Sequence, residues 1–308
     1  MKRLSLIVLL QFFIISSCTD FSILERDQKN IFFYENIVDV INNDGSLFVA
    51  TFNMKLGFCQ TCDPFSDELG GDFEQLDRIV NMINILNLDI VSLQEVAHEY
   101  DTSIIENQIK YIAERTNMNY AYGMGRALQT GSNLFLRGFI GNAILSKYEI
   151  VSVKNPVIRY IDYFSQNHSL NVKLKLNNIK EILIVNTHLQ SGSTNDEKKL
   201  QINQILEEIK NESIPIILTG DFNLSYRSNS QFLLLLENDF VNSLEEIDSN
   251  ERANIIDSGT FLSGSVIDFI FTSKNDFNIQ SVALAPIEFR DISDHFAYMV
   301  NISLNDIP

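Results

Sequence analysis

The sequence predicts an α/β fold in which two packed sheets are flanked by helices. Three observations predict it. Short apolar runs of strand character alternate with helix-period segments in each half of the chain. A β-rich stretch, about residues 120–190, separates those halves. No Pro- or Gly-rich linker and no solenoid-length repeat interrupts the regular part, so it reads as one domain.

The 308 residues, 45% hydrophobic and 20% charged, suffice for a large core. The chain opens with "MKRLSLIVLLQFFIISSC", in which Lys2 and Arg3 precede an apolar stretch and small residues lead to Cys18. That stretch is too short for a comfortable membrane span, so residues 1–17 read as a secretory signal peptide. Ser16-Ser17-Cys18 resembles a bacterial lipobox. The resemblance makes Cys18 the expected lipidation site. The mature chain is then an exported cell-envelope lipoprotein, held on a membrane by its lipid at the periplasmic face or the cell surface. Residues 18–45 are polar without a clear period and read as a tether and lead-in segment, leaving a domain over 46–308.

The regular pattern starts at "LFVATFNM", a strand. "FEQLDRIVNMINILNL" places Leu76, Ile79, Val80, Ile83 and Leu86 at helical spacing. "DIVSLQEV" is a strand and "SIIENQIKYIAERTNM" an amphipathic helix. "YAYGMG", "GNAILS", "EIVSVKNPVIRY", "LNVKLKL" and "EILIVNTHL" form the β-rich middle. "NDEKKLQINQILEEIK" is a helix that Asn195 or Asp196 would cap. "IPIILTGDFNL" is a strand, followed by a short helix through "SQFLLLLEN". "VIDFIFTS", "FNIQSVALAP" and "FAYMVNIS" finish as strands.

The net charge is −17; loss of Lys2 and Arg3 with the leader leaves 21 basic against 40 acidic residues, or −19. That balance disfavours nucleic acid as a partner, because phosphate-gripping faces are rich in Lys and Arg. It leaves phosphate chemistry open, since a metal can carry the contact. Besides Cys18, the chain has Cys59 and Cys62 in "FCQTCD". No second Cys pair completes a zinc site, and export favours oxidation, so a local Cys59–Cys62 disulfide is expected.

Polar residues collect at strand ends. Asn53 ends the first regular strand, Gln94-Glu95 the second, and His188 closes "IVNTH". Asp221 and Asn223 close "ILTGDFN", Asp268 begins "DFIF", and Asp294-His295 precede the last strand. Asp221 and Asn223, one residue apart on an extended chain, would project from one face; an Asx turn is the competing local explanation. Each residue has an ordinary structural explanation alone. Six such strand ends together point to a site, because ligands gather at strand ends in layered α/β folds.

"TFNM", "DIVSLQEV", "GNAILSKYEI", "VNTHL", "TGDFN", "IDFIF" and "SDH" resemble, in order, the successive motifs of the endonuclease/exonuclease/phosphatase (DNase I-like) superfamily, over roughly residues 47–303. The resemblance implies a four-layer α/β sandwich with two mainly antiparallel sheets, and Mg²⁺-dependent phosphoester hydrolysis, with Mn²⁺ or Ca²⁺ as alternatives. It implies Asn53, Glu95 and Asp294 as metal-site residues, a set of hard oxygen donors suited to such ions. It implies Asp221 as the residue that orients or deprotonates water, and Asn223 and His188 as donors to the phosphoryl group. Asp268 would orient His295. His98 and His168 take structural readings; where many family members carry an Arg, this chain has His168. Gly141-Asn142-Ala143 matches a structural motif. The expected substrate is a small-molecule or lipid-headgroup phosphodiester, cleaved by a monomer. A secreted DNase and a catalytically inactive binding protein are the alternatives.

Overall fold

The computed structural model describes residues 32–38, 46–61, 73–99, 107–129, 136–160, 166–177 and 180–305. The signal peptide, Cys18 and Cys62 lie outside the described residues. One sheet runs β1 (Phe32–Glu35), β4 (Asn119–Gln129), β5 (Leu136–Ser146), β3 (Ile90–His98), β2 (Ser46–Asn53), β14 (Tyr298–Leu304) and β13 (Phe277–Leu284). The other runs β11 (Phe240–Asn242), β12 (Asp268–Ser273), β10 (Ile216–Asp221), β9 (Glu181–His188), β8 (Gln166–Lys175) and β6 (Glu149–Lys154), with β7 (Val157–Tyr160) also on β8.

Neighbours are antiparallel except β2–β3 and β9–β10. Parallel neighbours need a crossover. Helix α1 (Phe73–Ile85) supplies the first and α3 (Asn195–Ile209) the second. Helices α2 (Gln108–Thr116), α4 (Tyr226–Leu233) and α5 (Ser249–Ser258) complete the helices among the described residues. The result is the α/β sandwich that the alternating pattern predicts.

The sheets meet face to face: β10 packs on β2 and β3, β9 on β3 and β5, and β8 on β4 and β5. Their inward faces change character along the strands. Leu47, Val49, Ile90, Ile182, Ile184 and Ile217 form an apolar layer. Further along come Thr51, Ser92, Gln94, Asn186 and Thr219, all fully buried. Buried polar groups need partners, and most of these find them across the inter-sheet space, Gln94 Oε1 excepted. Thr219 Oγ1 donates to Ser92 Oγ (2.7 Å), and Gln94 Nε2 to Asn186 Oδ1 (2.7 Å). Asn186 Nδ2 donates to the carbonyls of Leu93 and Ala143, each at 2.9 Å. One step beyond this layer the strands end in charged residues.

Three local expectations change, and one further helix appears. The lead-in segment is not all tether: β1 pairs with β4, so the folded unit reaches Phe32. The cap of α3 is Thr194, not Asn195 or Asp196. Its side chain accepts from Glu197 N, and Glu197 bonds back to Thr194 N at 2.8 Å; that reciprocal box satisfies two end N–H groups at once. The short helix after β10 starts at Tyr226, earlier than "SQFLLLLEN" suggests. α5, with Asp248 as its N-cap, has no strong apolar stripe in sequence and buries only Ile255.

Candidate active site

Strand register does most of the assembly. β9 and β10 pair so that His188 lies beside Asp221, and β10 and β12 so that Asp221 lies beside Asp268. Directly paired residues share a face of the sheet, so three adjacent strands aim three ionisable groups the same way. The close approach of β9 and β10 requires Gly220. Its φ is +148°, and a Cβ there would sit 2.0 Å from the Thr187 carbonyl.

Glu95 arrives differently. Gln94 pairs with Asn53, and the next residue on a regular strand would point away. Instead β3 carries an irregularity against β5 between Leu93 and Val96, and Glu95 adopts φ +53°. Such a bulge re-aims a side chain. The strand therefore does not stop at Glu95, as its sequence suggests, but continues to His98. Glu95 meets the site: Asn53 Nδ2 donates to Glu95 Oε1 and to Asp221 Oδ2, both at 3.2 Å.

His188 Nε2 lies 3.9 Å from Glu95 Oε1 and 3.5 Å from Asp221 Oδ2. His295 Nε2 lies 3.6 Å from Asp221 Oδ2, and its Nδ1 2.9 Å from Asp268 Oδ2. Burial alone would hold the His295 imidazole neutral; the Asp268 and Asp221 carboxylates outweigh it and raise its pKa to about 10. Burial raises the Asp221 carboxyl, with the His295 and His188 charges pulling the other way.

Asp221 and Asn223 do not share a face of an extended strand. β10 ends at Asp221, Asn223 takes φ +50°, and its N–H donates to Asp221 Oδ1 at 2.8 Å. That is the Asx turn weighed against the shared-face reading. Asn223 Nδ2 donates to the Leu189 carbonyl at 2.8 Å, and an amide keeps a second N–H. Asp294 faces Lys55 Nζ at 3.8 Å. Ser293 Oγ lies 3.2 Å from Asp294 Oδ1 and 2.8 Å from the Asn53 carbonyl, which ties Asp294 to the other seven strand-end residues.

Several supporting residues carry no sequence signal of their own. Thr260 Oγ1 accepts from the N–H groups of Ile267 and Asp268, while its carbonyl accepts from Phe296 N at 2.7 Å. One residue thus sets both Asp268 and the loop bearing His295; the Phe261 ring packs 4.8 Å from the His295 ring. Ser293 Oγ donates to the Asn53 carbonyl at 2.8 Å. Lys198, buried on α3, donates to the Asn223 carbonyl at 2.7 Å. Burial lowers the Lys198 ammonium pKa, with Asp221 opposing.

Of the residues read as structural, Asn142 donates to the His168 carbonyl at 3.1 Å, and His98 packs against the rings of Phe33 and Tyr122, which stack on each other. Cys59 is disulfide-bonded.

Asp221, Asp268 and His295 present ligand atoms within 4.8 Å of one another and could hold an ion. His295 Nδ1 is already taken by Asp268 Oδ2 at 2.9 Å, which leaves Nε2 as the ring's open position. Glu95 and Asp294, whose side chains are 25% and 24% exposed, are further hard oxygen donors, whereas Asn53, expected beside them, turns its Nδ2 donor toward Glu95 while its Oδ1 accepts from Lys55 N at 3.1 Å.

A family model described as "Endonuclease/Exonuclease/phosphatase family" matches residues 50–295. A search of curated protein sequences finds no match. Among solved structures, an endonuclease/exonuclease/phosphatase from Beutenbergia cavernae is similar at TM-score 0.70 and 16% identity, covering 85% of this chain and 72% of its own. The human Nocturnin catalytic domain follows at TM-score 0.64 and 16% identity, covering 90% and 97%. A mannosyl-6-phosphatase from Bacteroides thetaiotaomicron stands at TM-score 0.57 and 19% identity, covering 83% and 99%. At these identities the likeness is one of fold.

Proposed function

We propose, from the premise that this chain belongs to the endonuclease/exonuclease/phosphatase family, that it is a divalent-metal-dependent phosphoesterase acting on a phosphodiester of a small molecule or lipid headgroup. The observation that supports this most is the bulge that turns Glu95 against its strand's alternation to join Asn53, His188 and Asp221. A divalent ion such as Mg²⁺, held by Glu95 with Asp294 as a second candidate ligand and with Asn53 Nδ2 steadying the Glu95 carboxylate, would polarise the phosphoryl oxygens and neutralise their developing charge. Asp221 takes the proton of the attacking water; burial raises its carboxyl toward the range where a base works well near neutral pH. His188 Nε2 and the second amide proton of Asn223 donate to phosphoryl oxygens. His295, held charged by Asp268, balances the negative charge of Asp221. The net charge of −17 ranks a nuclease second.

The test is hydrolysis of bis-p-nitrophenyl phosphate with Mg²⁺ or Mn²⁺, with DNA assayed beside it and a thermal melt for each variant. Glu95→Gln keeps the shape but removes charge, and should weaken the response to metal and cut turnover. His295→Ala should lower the rate ~10²–10⁴-fold with little change in metal affinity. A wild type inert on every phosphoester, or folded variants as fast as wild type, would replace this reading with that of a binding protein on the same fold. The leader and Cys18 support export and lipid anchoring; radiolabelled palmitate that enters wild type and Cys18→Ala alike would remove that part. Among the described residues no helix is long and apolar enough to cross a membrane.

A further inference from the structure

Asp268 holds the His295 ring, yet little holds the side chain of Asp268. Its Oδ2 meets His295 Nδ1 at 2.9 Å, while its Oδ1, also buried, has no hydrogen-bond partner among the described residues. Such a carboxylate is placed chiefly by its backbone. The geometry of the pair therefore depends on what fixes two main-chain segments, the start of β12 and the stretch around His295.

One short loop, residues 259–265, grips both. Gly259 ends α5 with φ +71°, and a Cβ there would lie 2.5 Å from the Gly264 carbonyl carbon, so the loop closes tightly on itself. The N–H groups of Thr260 and Phe261 both donate to the Ser265 carbonyl, at 3.0 and 3.1 Å. Toward β12, Thr260 Oγ1 accepts from Ile267 N at 3.0 Å and Asp268 N at 3.1 Å. Toward the last strand, the Thr260 carbonyl accepts from Phe296 N at 2.7 Å, and Leu262 N donates to the Asp294 carbonyl at 3.0 Å. Those two bonds take the peptide groups on either side of His295. Thr260 is fully buried, so bulk water cannot take the place of its hydroxyl.

We propose that Thr260 is the positioning residue of the Asp268–His295 pair. Its hydroxyl and its carbonyl refer both partners to one closed loop, and so hold His295 Nε2 at its 3.6 Å from Asp221 Oδ2. The effect on rate rests on the phosphoesterase reading; the Asp268–His295 hydrogen bond does not. A residue that only stabilised the loop would lower the melting temperature and leave the pair unchanged.

The test compares Thr260→Val, which keeps the shape and removes the acceptor, with Thr260→Ser, which keeps the acceptor. Thr260→Ala leaves space for a water at the two N–H groups and carries the test if Thr260→Val fails to fold. The first readout is proton NMR of histidine-labelled protein without substrate. The His295 Nδ1–H, in a charge-assisted bond, should resonate downfield of the backbone amides and is assigned by its loss in His295→Ala. This signal should move upfield or vanish in Thr260→Val and Thr260→Ala and return in Thr260→Ser. The second readout is kinetics on bis-p-nitrophenyl phosphate with Mg²⁺. There kcat should fall roughly 10–100-fold in the Val and Ala variants, KM should stay within about twofold, and Thr260→Ser should recover most of the rate. A wild-type signal or a wild-type kcat in a folded Val or Ala variant overturns the proposal, as does a loss confined to KM. A signal that responds as described in a protein inert on every phosphoester keeps the placement of the pair and sinks the phosphoesterase reading instead.

Discussion

Glu95 shows how one residue can oppose its own backbone. At φ +53° a side chain other than glycine costs ~1–2 kcal/mol. The cost is tolerated at the one position where alternation along β3 would otherwise send the carboxylate out of the site. Both Glu95→Gly and Glu95→Ala remove the carboxylate and should abolish turnover. They differ in backbone freedom, so Glu95→Gly should be the more stable by about 1 kcal/mol. Chemical denaturation of the pair checks this; equal midpoints would mean the left-handed conformation is not held in solution. A bulge is set by tertiary pairing, and nothing in "SLQEVAH" marks it.

At the scale of elements, α3 does two jobs that its apolar pattern does not reveal. Its first turn is closed by the Thr194–Glu197 box, and that turn carries Lys198 to the Asn223 carbonyl. Thr194→Ala should cost about 1 kcal/mol, read as ~2–4 °C in the melting temperature. Lys198→Met is expected to act on rate: with Asn223 no longer tethered from below, turnover should fall roughly 10–100-fold, as small misplacements near a reacting centre do. The metal concentration for half-maximal rate should not move. A shift in that concentration would place Lys198 in the metal site's electrostatics instead.

Across the whole molecule, the inter-sheet core grades from aliphatic, through the Ser92–Thr219 and Gln94–Asn186 bridges, to ionised strand ends. His168 sits in this interior, neutral because burial lowers its pKa. The sign of its contribution to stability follows. In the unfolded chain it takes up a proton below about pH 6.5, whereas the folded chain resists protonation until lower pH. The unfolded state then binds more protons, so stability falls with falling pH. This contribution is fully present above pH ~6.5 and is lost as pH falls toward the folded pKa. Replacing His168 by Gln should flatten that part of the stability–pH curve; an unchanged slope would assign acid sensitivity to other groups.

The sequence by itself determined the layer architecture, because apolar periodicity reports which faces are buried. It also singled out Asn53, Glu95, His188, Asp221, Asn223, Asp268, Asp294 and His295 as candidates, because six strand ends that each carry polar residues are together more than turns and caps require. Only the tertiary structure decided how they meet. The register of β9, β10 and β12 lines up His188, Asp221 and Asp268, and the bulge in β3 turns Glu95 inward. Thr260, Ser293 and Lys198 were illegible beforehand because each acts through a backbone group far away in the chain. Their side chains are ordinary for a cap, a turn or a helix face, and their partners exist only once the two sheets have packed.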